Sequence, residues 1–291
     1  MTPQSPRSDA PKSPRSDAPA AEPPGPAASR SVDLDLTGRT ALVTGAAGGI
    51  GRACAVRLVA AGARLRAVDL DPEGLKSLAA EVARGPAGEE SVEIHPLDLT
   101  APAGLDAAER AADGADVLVN AAGTQLVRPI EEFPPEAFRR MLTLMLEAPF
   151  RTTRGALPGM YAQGWGRIVH ISSVHGLRAS AYKSAYVAAK HGLEGLSKTT
   201  ALEAAAHGVT ANCVNPAYVR TPLVERQIAD QAEAHGIPAE RVVTDIMLAD
   251  SAVKRLLEPY EVAEAVAYLC TPAAAFLTGS ALPLDGAWTA H

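Results

Sequence analysis

The chain has 291 residues and a formal net charge of -6, and 47% of its residues are hydrophobic while only 4% are aromatic. This length fits one large α/β domain. An acidic chain lacks the concentrated basic surface that nucleic-acid binding requires, so we expect no nucleic-acid partner.

Cysteine usage and hydropathy restrict the compartment. Cys54, Cys213 and Cys270 lie far apart without metal-binding spacing, so we expect neither a disulfide framework nor a metal site. No apolar run approaches the roughly 20 residues of a membrane span, and the N-terminus lacks the apolar core of a secretory signal. These features predict a cytoplasmic protein without membrane association.

Residues 1–35 are rich in Pro, Ser and Ala and contain a tandem repeat, Ser5-Pro-Arg-Ser-Asp-Ala-Pro11 and Ser13-Pro-Arg-Ser-Asp-Ala-Pro19. Such a segment cannot bury enough apolar surface to offset the entropy of ordering, which predicts a disordered tail. A docking arm and a misassigned start codon are the alternatives.

From Thr40 onward, short aliphatic runs alternate with Ala- and Leu-rich helical stretches, the pattern of a parallel sheet with crossover helices. Strands are predicted at 40–44, 64–69, 91–96, 117–120, 166–171, 210–214 and 281–284. Helices are predicted near 49–61, 72–83, 103–112, 135–160, 183–206 and 259–270. Right-handed crossovers then give a single α/β domain over residues 36–291, a Rossmann-type doubly wound parallel sheet.

Residues 219–257 interrupt this alternation with polar, charged and methionine-containing helical stretches. An insertion of this length is typical of a small helical lid over a substrate. A contact between subunits is the alternative.

A glycine-rich segment, Thr44-Gly-Ala-Ala-Gly-Gly-Ile-Gly51, joins the first predicted strand to the first predicted helix. Gly45, Gly49, Ile50 and Gly51 would let the free N–H groups of the helix N-terminus face a pyrophosphate. A plain strand-to-helix turn would look similar, but the strand before and the helix after it favour a nucleotide site.

Asp69 ends the second predicted strand, where a carboxylate can accept hydrogen bonds from ribose hydroxyls and would repel a 2′-phosphate. This predicts NAD rather than NADP as the cofactor. Arg64 and Arg66 lie close enough in sequence to keep NADP open. A helix cap is the alternative role for Asp69.

Further residues follow the third and fourth predicted strands, at the edge where ligands bind in open α/β sheets. These residues are Asp98, Asn120 and Gly123. Individually they could be turn residues, but as a series they predict the rim of a cofactor crevice.

Tyr186 and Lys190 are four residues apart in an Ala-rich helical stretch, and Ser173 follows a predicted strand. The spacing places the phenol and the ammonium on one helix face. A neighbouring ammonium favours the phenolate, which could exchange a proton with an alcohol. A buried tyrosine beside a surface lysine is the alternative for this pair alone.

Together these motifs resemble the short-chain dehydrogenase/reductase family over nearly the whole chain after residue 35. The matching segments are Thr44-Gly-x-x-x-Gly-Ile-Gly51, Asn120-Ala-Ala-Gly123, Ser173, Tyr186-x-x-x-Lys190 and Pro216-x-x-x-x-Thr221. The resemblance implies that Ser173 hydrogen-bonds the reacting oxygen, that Tyr186 is the acid/base, and that Lys190 binds the nicotinamide ribose and lowers the tyrosine pKa. It also implies a homotetramer and cofactor contacts from Pro216, Val219 and Thr221.

A narrower resemblance is to the D-3-hydroxybutyrate dehydrogenases. It rests on Ser173-Val-His-Gly-Leu177, Tyr186-Val-Ala-Ala-Lys-His-Gly192, Thr221-Pro-Leu-Val-x-x-Gln227 and Asp285-Gly-x-Trp288. It implies that a small hydroxy or keto acid is held by Gln125, Ser173, His175, Lys183, Tyr186, Gln227 and Trp288. Lys183 would supply the cation that a small carboxylate requires. Separately, the polar members could be solvated loop residues, and another secondary alcohol or a 3-oxoacyl thioester is the alternative substrate.

Two positions depart from the family pattern. Met145 stands where an asparagine usually helps to hold a proton-relay water, and a thioether is at best a weak acceptor. Ala217 follows Pro216 where the family commonly has glycine. Met145 motivates one further alternative, a nucleotide-binding protein with little catalysis.

Overall fold

A computed structural model describes residues 31–84 and 91–290. Their strands form one seven-stranded sheet in the order β3-β2-β1-β4-β5-β6-β7, and every neighbouring pair is parallel. The strands are β1 (Thr40–Thr44), β2 (Arg64–Asp69), β3 (Val92–Pro96), β4 (Val117–Asn120), β5 (Gly166–Ile171), β6 (Val209–Pro216) and β7 (Ala281–Leu284). This arrangement confirms the predicted Rossmann-type fold.

Helices cover both faces of the sheet. They are α1 (Gly49–Ala60), α2 (Pro72–Val82), α3 (Pro102–Ala112), α4 (Pro135–Leu142), α5 (Ala148–Gln163), α6 (Ser184–Ala204), α7 (Pro222–His235), α8 (Ala239–Arg241) and α9 (Pro259–Cys270). None of the helices in the described ranges is both long and apolar enough to cross a membrane.

Alternation along the strands divides the core into two layers. Val43 on β1 packs with residues of α1, α2 and α9 on one face, whereas its neighbour Leu42 packs with residues of α3, α5 and α6 on the other. Successive strand residues point to opposite faces, so a sheet covered on both sides is apolar at every position. The strands Thr40–Thr44 and Gly166–Ile171 are buried at every position and mostly apolar, although the second includes Arg167 and His170.

The predicted single helix over 135–160 is wrong. The structure has α4, a π-helical segment at Thr143–Glu147, and then α5. Pro149 lies in the first turn of α5 and has no N–H to donate to the carbonyl of Met145, so regular α-helical bonding cannot continue. The π-turn accommodates this interruption, and such turns occur frequently at functional sites.

The folded unit begins at Ser31, earlier than the predicted boundary at 36. The backbone N–H of Val32 donates to the Glu264 carboxylate at 2.9 Å, and the Val32 carbonyl accepts from Arg57. Leu34 packs against the core. The predicted disorder of residues 1–30 lies outside the described residues.

The insertion at 219–257 contains α7, α8 and a π-helical segment at Val242–Met247. Its buried residues form a separate small apolar cluster of Ile228, Val242, Met247, Leu248 and Leu256. Val219 and Leu257 pair at its two ends, so the insertion leaves and rejoins the domain at one place.

Candidate active site

Register brings the carboxyl ends of the central strands to one edge of the sheet. Thr44 at the end of β1 pairs with Asn120 at the end of β4, and Asn120 pairs with His170 on β5. A cleft of about 730 Å³ opens along this edge. This is the edge of open α/β sheets where ligands bind.

The glycine-rich turn forms one wall of the cleft and requires its glycines. Gly45 has a φ of 69°, and a Cβ there would lie 2.8 Å from the backbone nitrogen of Ala122. A Cβ at Gly51 would lie well inside van der Waals distance of the Gly45 carbonyl oxygen. Only glycine lets the turn approach this closely.

The N-terminus of α1 faces the same cleft, since Gly48, Gly49, Ile50 and Gly51 all line it. No side chain among the described residues caps this helix. Its first-turn N–H groups and the positive end of its dipole are therefore suited to an anionic group such as a pyrophosphate. The glycine-rich turn therefore has the geometry that a dinucleotide site requires.

Two carboxylates mark the far end of this wall. Asp69 accepts hydrogen bonds from the backbone N–H groups of Ala47 at 2.9 Å and Asp71 at 3.0 Å, and both aspartates line the cleft. Asp71 also caps α2 through Glu73. The sequence analysis missed Asp71, although its position two residues after the β2 carboxyl end was a usable signal.

The two arginines near Asp69 are engaged elsewhere. Arg64 donates to Thr40 Oγ1 at 3.2 Å. Arg66 donates to the Ala111 carbonyl at 2.9 Å and lies 3.6 Å from Glu93. Neither guanidinium lines the cleft.

Asp98 and Asn120 lie outside the cleft wall. The Asp98 carboxylate is exposed and accepts hydrogen bonds from Thr100, which lower its pKa. Asn120 is buried and bonds to Thr152 at 2.8 Å and His170 at 3.2 Å. Neither side chain lines the cleft and both make local hydrogen bonds, so contact between these two residues and the cofactor stays a prediction. Gly123 does line the cleft.

The structure brings Ser173, Tyr186 and Lys190 together on the opposite wall. Ser173 begins a short helical turn at Val174–Gly176 and accepts from the His175 N–H at 3.2 Å. The Lys190 ammonium donates to the Ile171 carbonyl at 2.7 Å and lies 5.6 Å from the centre of the Tyr186 ring. Helix α6 carries both residues on one face, as their spacing predicts.

Burial governs protonation in this group. It raises the pKa of Tyr186, and a hydrogen bond with Ser173 opposes that rise. Burial also lowers the pKa of Lys190 to about 8. Desolvation of the phenolate thus outweighs the hydrogen bond with Ser173. The expected lowering of the tyrosine pKa by Lys190 stays a prediction.

A cationic pair lies next to Tyr186. Lys183 Nζ is 3.0 Å from His175 Nε2. The His175 ring makes edge contacts with the rings of Tyr186 and Trp288, at distances of 6.1 and 5.7 Å between ring centroids. Burial, followed by the charge of Lys183, lowers the pKa of His175 to about 4. The imidazole is thus neutral near pH 7, and the one positive charge of the pair belongs to Lys183.

The remaining substrate candidates share this end of the cleft. Gln125, Gln227 and Trp288 line it together with Tyr218, whose ring centre lies 5.7 Å from the Lys183 ammonium. The sequence analysis did not identify Ser180, Arg226 or Asp250, which also line the cleft. These side chains have no motif of their own and are placed there by the fold.

The loop after β6 completes the cleft. Pro216, Ala217, Val219 and Thr221 line it, and the N–H of Ala217 donates to the Leu284 carbonyl at 3.1 Å. Ala217 is absent from the positions that adopt a positive φ among the described residues. Alanine therefore fits where the family commonly has glycine.

Met145 lies at the π-turn and is 1% exposed. Its sulfur would be 3.5 Å from a Cβ placed at Gly123. The thioether fills apolar space behind the cleft wall and packs in a cluster that includes Tyr186.

Comparisons with known proteins agree with this geometry. The model of the short chain dehydrogenase family matches residues 39–232. A D-beta-hydroxybutyrate dehydrogenase of Rhizobium meliloti (strain 1021) is 46% identical over 258 residues, covering 87% of this chain and 99% of the relative. A protein of the same name from Cupriavidus necator is 42% identical over 261 residues, covering 88% of this chain and all of the relative.

A solved structure agrees as well. A putative NAD(P) dependent gluconate 5-dehydrogenase from Beutenbergia cavernae, with bound NADP, superimposes with a TM-score of 0.79 at 34% identity. The match covers 89% of this chain and 100% of that one. The family match, the two relatives and this structure establish that the chain belongs to the short-chain dehydrogenases, a family of oxidoreductases that use a nicotinamide cofactor.

Proposed function

We propose that this protein interconverts D-3-hydroxybutyrate and acetoacetate by hydride transfer, with NAD as its cofactor. The observation that carries the proposal is the Lys183–His175 pair beside Tyr186 in the cleft. It provides one positive charge and a neutral imidazole next to the acid/base group. The names of the two relatives support the same substrate.

In the oxidation direction, Ser173 holds the substrate hydroxyl and the Tyr186 phenolate takes its proton. Bound NAD supplies the hydride acceptor, which is the cofactor's own chemistry. Lys190 binds the nicotinamide ribose and, when protonated, stabilises the phenolate. Because burial raises the pKa of Tyr186, the phenolate depends on this support.

The substrate carboxylate is proposed to bind Lys183, with His175, Gln125 and Gln227 as further hydrogen-bond partners. Trp288 forms an apolar wall against the methyl end. A charge-assisted hydrogen bond in a partly buried cleft is stronger than a neutral one, so Lys183 contributes most to selection for an acid.

NAD is favoured over NADP at the other end of the cleft. Asp69 and Asp71 would repel a 2′-phosphate there, and Arg64 and Arg66 bond to groups outside the cleft. Gly45, Gly49, Ile50 and Gly51 would hold the pyrophosphate. Gly123, Pro216, Val219 and Thr221 would contact the nicotinamide half.

Three further features are proposed rather than established. Residues 219–257 act as a lid over the substrate, because Gln227 belongs both to this segment and to the cleft. The family resemblance supports a homotetramer, which light scattering tests. A cytoplasmic location stays a prediction from the sequence.

The substrate assignment is tested by comparing D-3-hydroxybutyrate with its methyl ester, which keeps the alcohol and lacks the charge. Lys183→Met should lower kcat/KM for the acid by roughly 10- to 100-fold, the equivalent of one charged hydrogen bond, and leave the ester little changed. Lys198→Met, at an exposed position on α6, is the matched control. An unaltered acid-over-ester preference in Lys183→Met would remove the proposed anion site.

A further inference from the structure

A buried carboxylate lies outside the cleft, behind the wall that carries Ser173, Tyr186 and Lys190, which we call the catalytic wall. Glu194 on α6 is 5% exposed, and neither the cofactor nor the substrate is proposed to contact it. Burying a carboxylate is costly unless it is hydrogen-bonded or paired with a charge. Its partners therefore indicate what it does.

Glu194 is connected through one side chain to the turn that Ser173 begins, residues 173–176, which we call the serine turn. Asn215 Nδ2 donates to Glu194 Oε1 at 2.6 Å and to the Ser173 carbonyl at 2.9 Å. Gly176, at the end of the serine turn, allows the close approach, because a Cβ there would lie 2.8 Å from Glu194 Oε1. The end of β6, the serine turn and α6 meet at this carboxylate.

Glu194 also shares a helix face with the catalytic pair. Tyr186, Lys190 and Glu194 follow one another at intervals of four residues on α6, so successive side chains are neighbours. Burial lowers the pKa of Lys190, and Cys213 followed by Glu194 acts in the opposite direction. The other titratable groups that face Lys190 are Tyr186, Cys213 on β6 and His170 on β5.

We propose that Glu194 is a positioning residue that fixes the serine turn against α6 through Asn215 and keeps Lys190 protonated. The inference rests on the roles proposed above for Ser173 and Lys190. The negative charge of Glu194 stabilises the Lys190 ammonium. Asn215 links the same carboxylate to the backbone of Ser173 and so helps to fix the position of the serine.

Glu194→Gln separates charge from geometry, since the amide keeps an oxygen for Asn215 and loses the negative charge. Without the anion, Lys190 loses its proton at lower pH. NADH affinity, measured by fluorescence titration, should fall as the pH rises. The midpoint pH of this fall should be lower in Glu194→Gln than in wild type by about half a pH unit or more. Glu203→Gln, at an exposed position on the same helix, should keep the wild-type midpoint. Coincident midpoints for Glu194→Gln and wild type would overturn the proposal, as would an equal shift in Glu203→Gln.

Glu194→Leu tests the geometric part, because it removes the acceptor for Asn215 as well as the charge. Its kcat should be roughly ten-fold below that of Glu194→Gln at the same pH, the cost of about one hydrogen bond in positioning Ser173. Equal kcat in the two variants would overturn this part. If Glu194→Leu fails to fold, the pH midpoint of NADH binding in Glu194→Gln decides whether the proposal stands. NADH titration uses no substrate, so failure of wild type to oxidise D-3-hydroxybutyrate would refute the proposed substrate and leave this test readable.

Discussion

At the scale of single residues, charged side chains mark different parts of the cleft. Asp69 and Asp71 lie beside the glycine-rich turn, and the Lys183 ammonium lies beside His175. Arg226 and Asp250 also line the cleft. The neutral state of His175 follows from burial and from the neighbouring lysine. This distribution favours a cofactor without a 2′-phosphate and a substrate with a carboxylate.

Asp69→Ala should relax cofactor choice. Removing the carboxylate removes both its repulsion of a 2′-phosphate and its hydrogen bonds to ribose hydroxyls, so the ratio of kcat/KM for NAD over NADP should fall by roughly 10- to 100-fold. The comparison uses steady-state rates with each cofactor. Asp113→Ala, at an exposed aspartate that follows α3 and does not line the cleft, should keep the wild-type ratio. If both variants kept it, Asp69 would not be the ribose ligand.

The placement of some site residues could be predicted from the sequence. Motif spacing placed Tyr186 and Lys190 on one helix face, because a helix of known period fixes which side chains share a face, and the structure brings Ser173 to the same cleft. It could not identify Glu194, since its partner Asn215 lies on a strand distant in sequence. Asp71 was overlooked although its position just after β2 could have indicated it. The direction of the Tyr186 pKa shift also depends on burial, which a sequence does not give.

At the scale of elements, the glycine-rich turn and α6 hold the two walls of the cleft. Strand ends were predictable to within a residue or two because β1, β4 and β5 are buried along their whole length. The break between α4 and α5 was not predicted. A continuous helical pattern conceals the effect of Pro149, which removes one backbone donor without altering the apolar period.

Gly51→Ala should impair the turn. The new methyl group would overlap the Gly45 carbonyl, so the variant should lose about 1–3 kcal/mol of unfolding free energy, as overpacked sites do, and bind NADH more weakly. Urea unfolding and fluorescence titration measure the two effects. Gly195→Ala, on α6 with open space around its Cβ position, is the control and should be neutral or stabilising. Wild-type NADH affinity in Gly51→Ala would show that the close approach is not needed.

At the scale of the whole molecule, the domain consists of a rigid sheet and an insertion with its own small core. The insertion is joined to the sheet at the Val219–Leu257 pair. Such a unit can move as a body about its attachment while the catalytic wall stays in place. The sequence indicated the insertion by its interrupted period, but not the separate core that the structure gives it.

Closure of the insertion should be detectable by limited proteolysis. NAD and acetoacetate together should slow cleavage within residues 219–257 at least about two-fold, because the closed lid is opened less often. Cleavage rates at sites outside this segment serve as the internal reference. Equal protection everywhere would indicate general stabilisation by ligand, and no protection would argue against a lid.

Cofactor reduction by the purified protein, with each enantiomer of 3-hydroxybutyrate in turn, is the decisive test of the proposed reaction. We expect that the D-enantiomer reduces NAD, that the L-enantiomer and NADP support little turnover, and that Tyr186→Phe abolishes the reaction. Preferential oxidation of the L-enantiomer, or undiminished turnover in Tyr186→Phe, would contradict it.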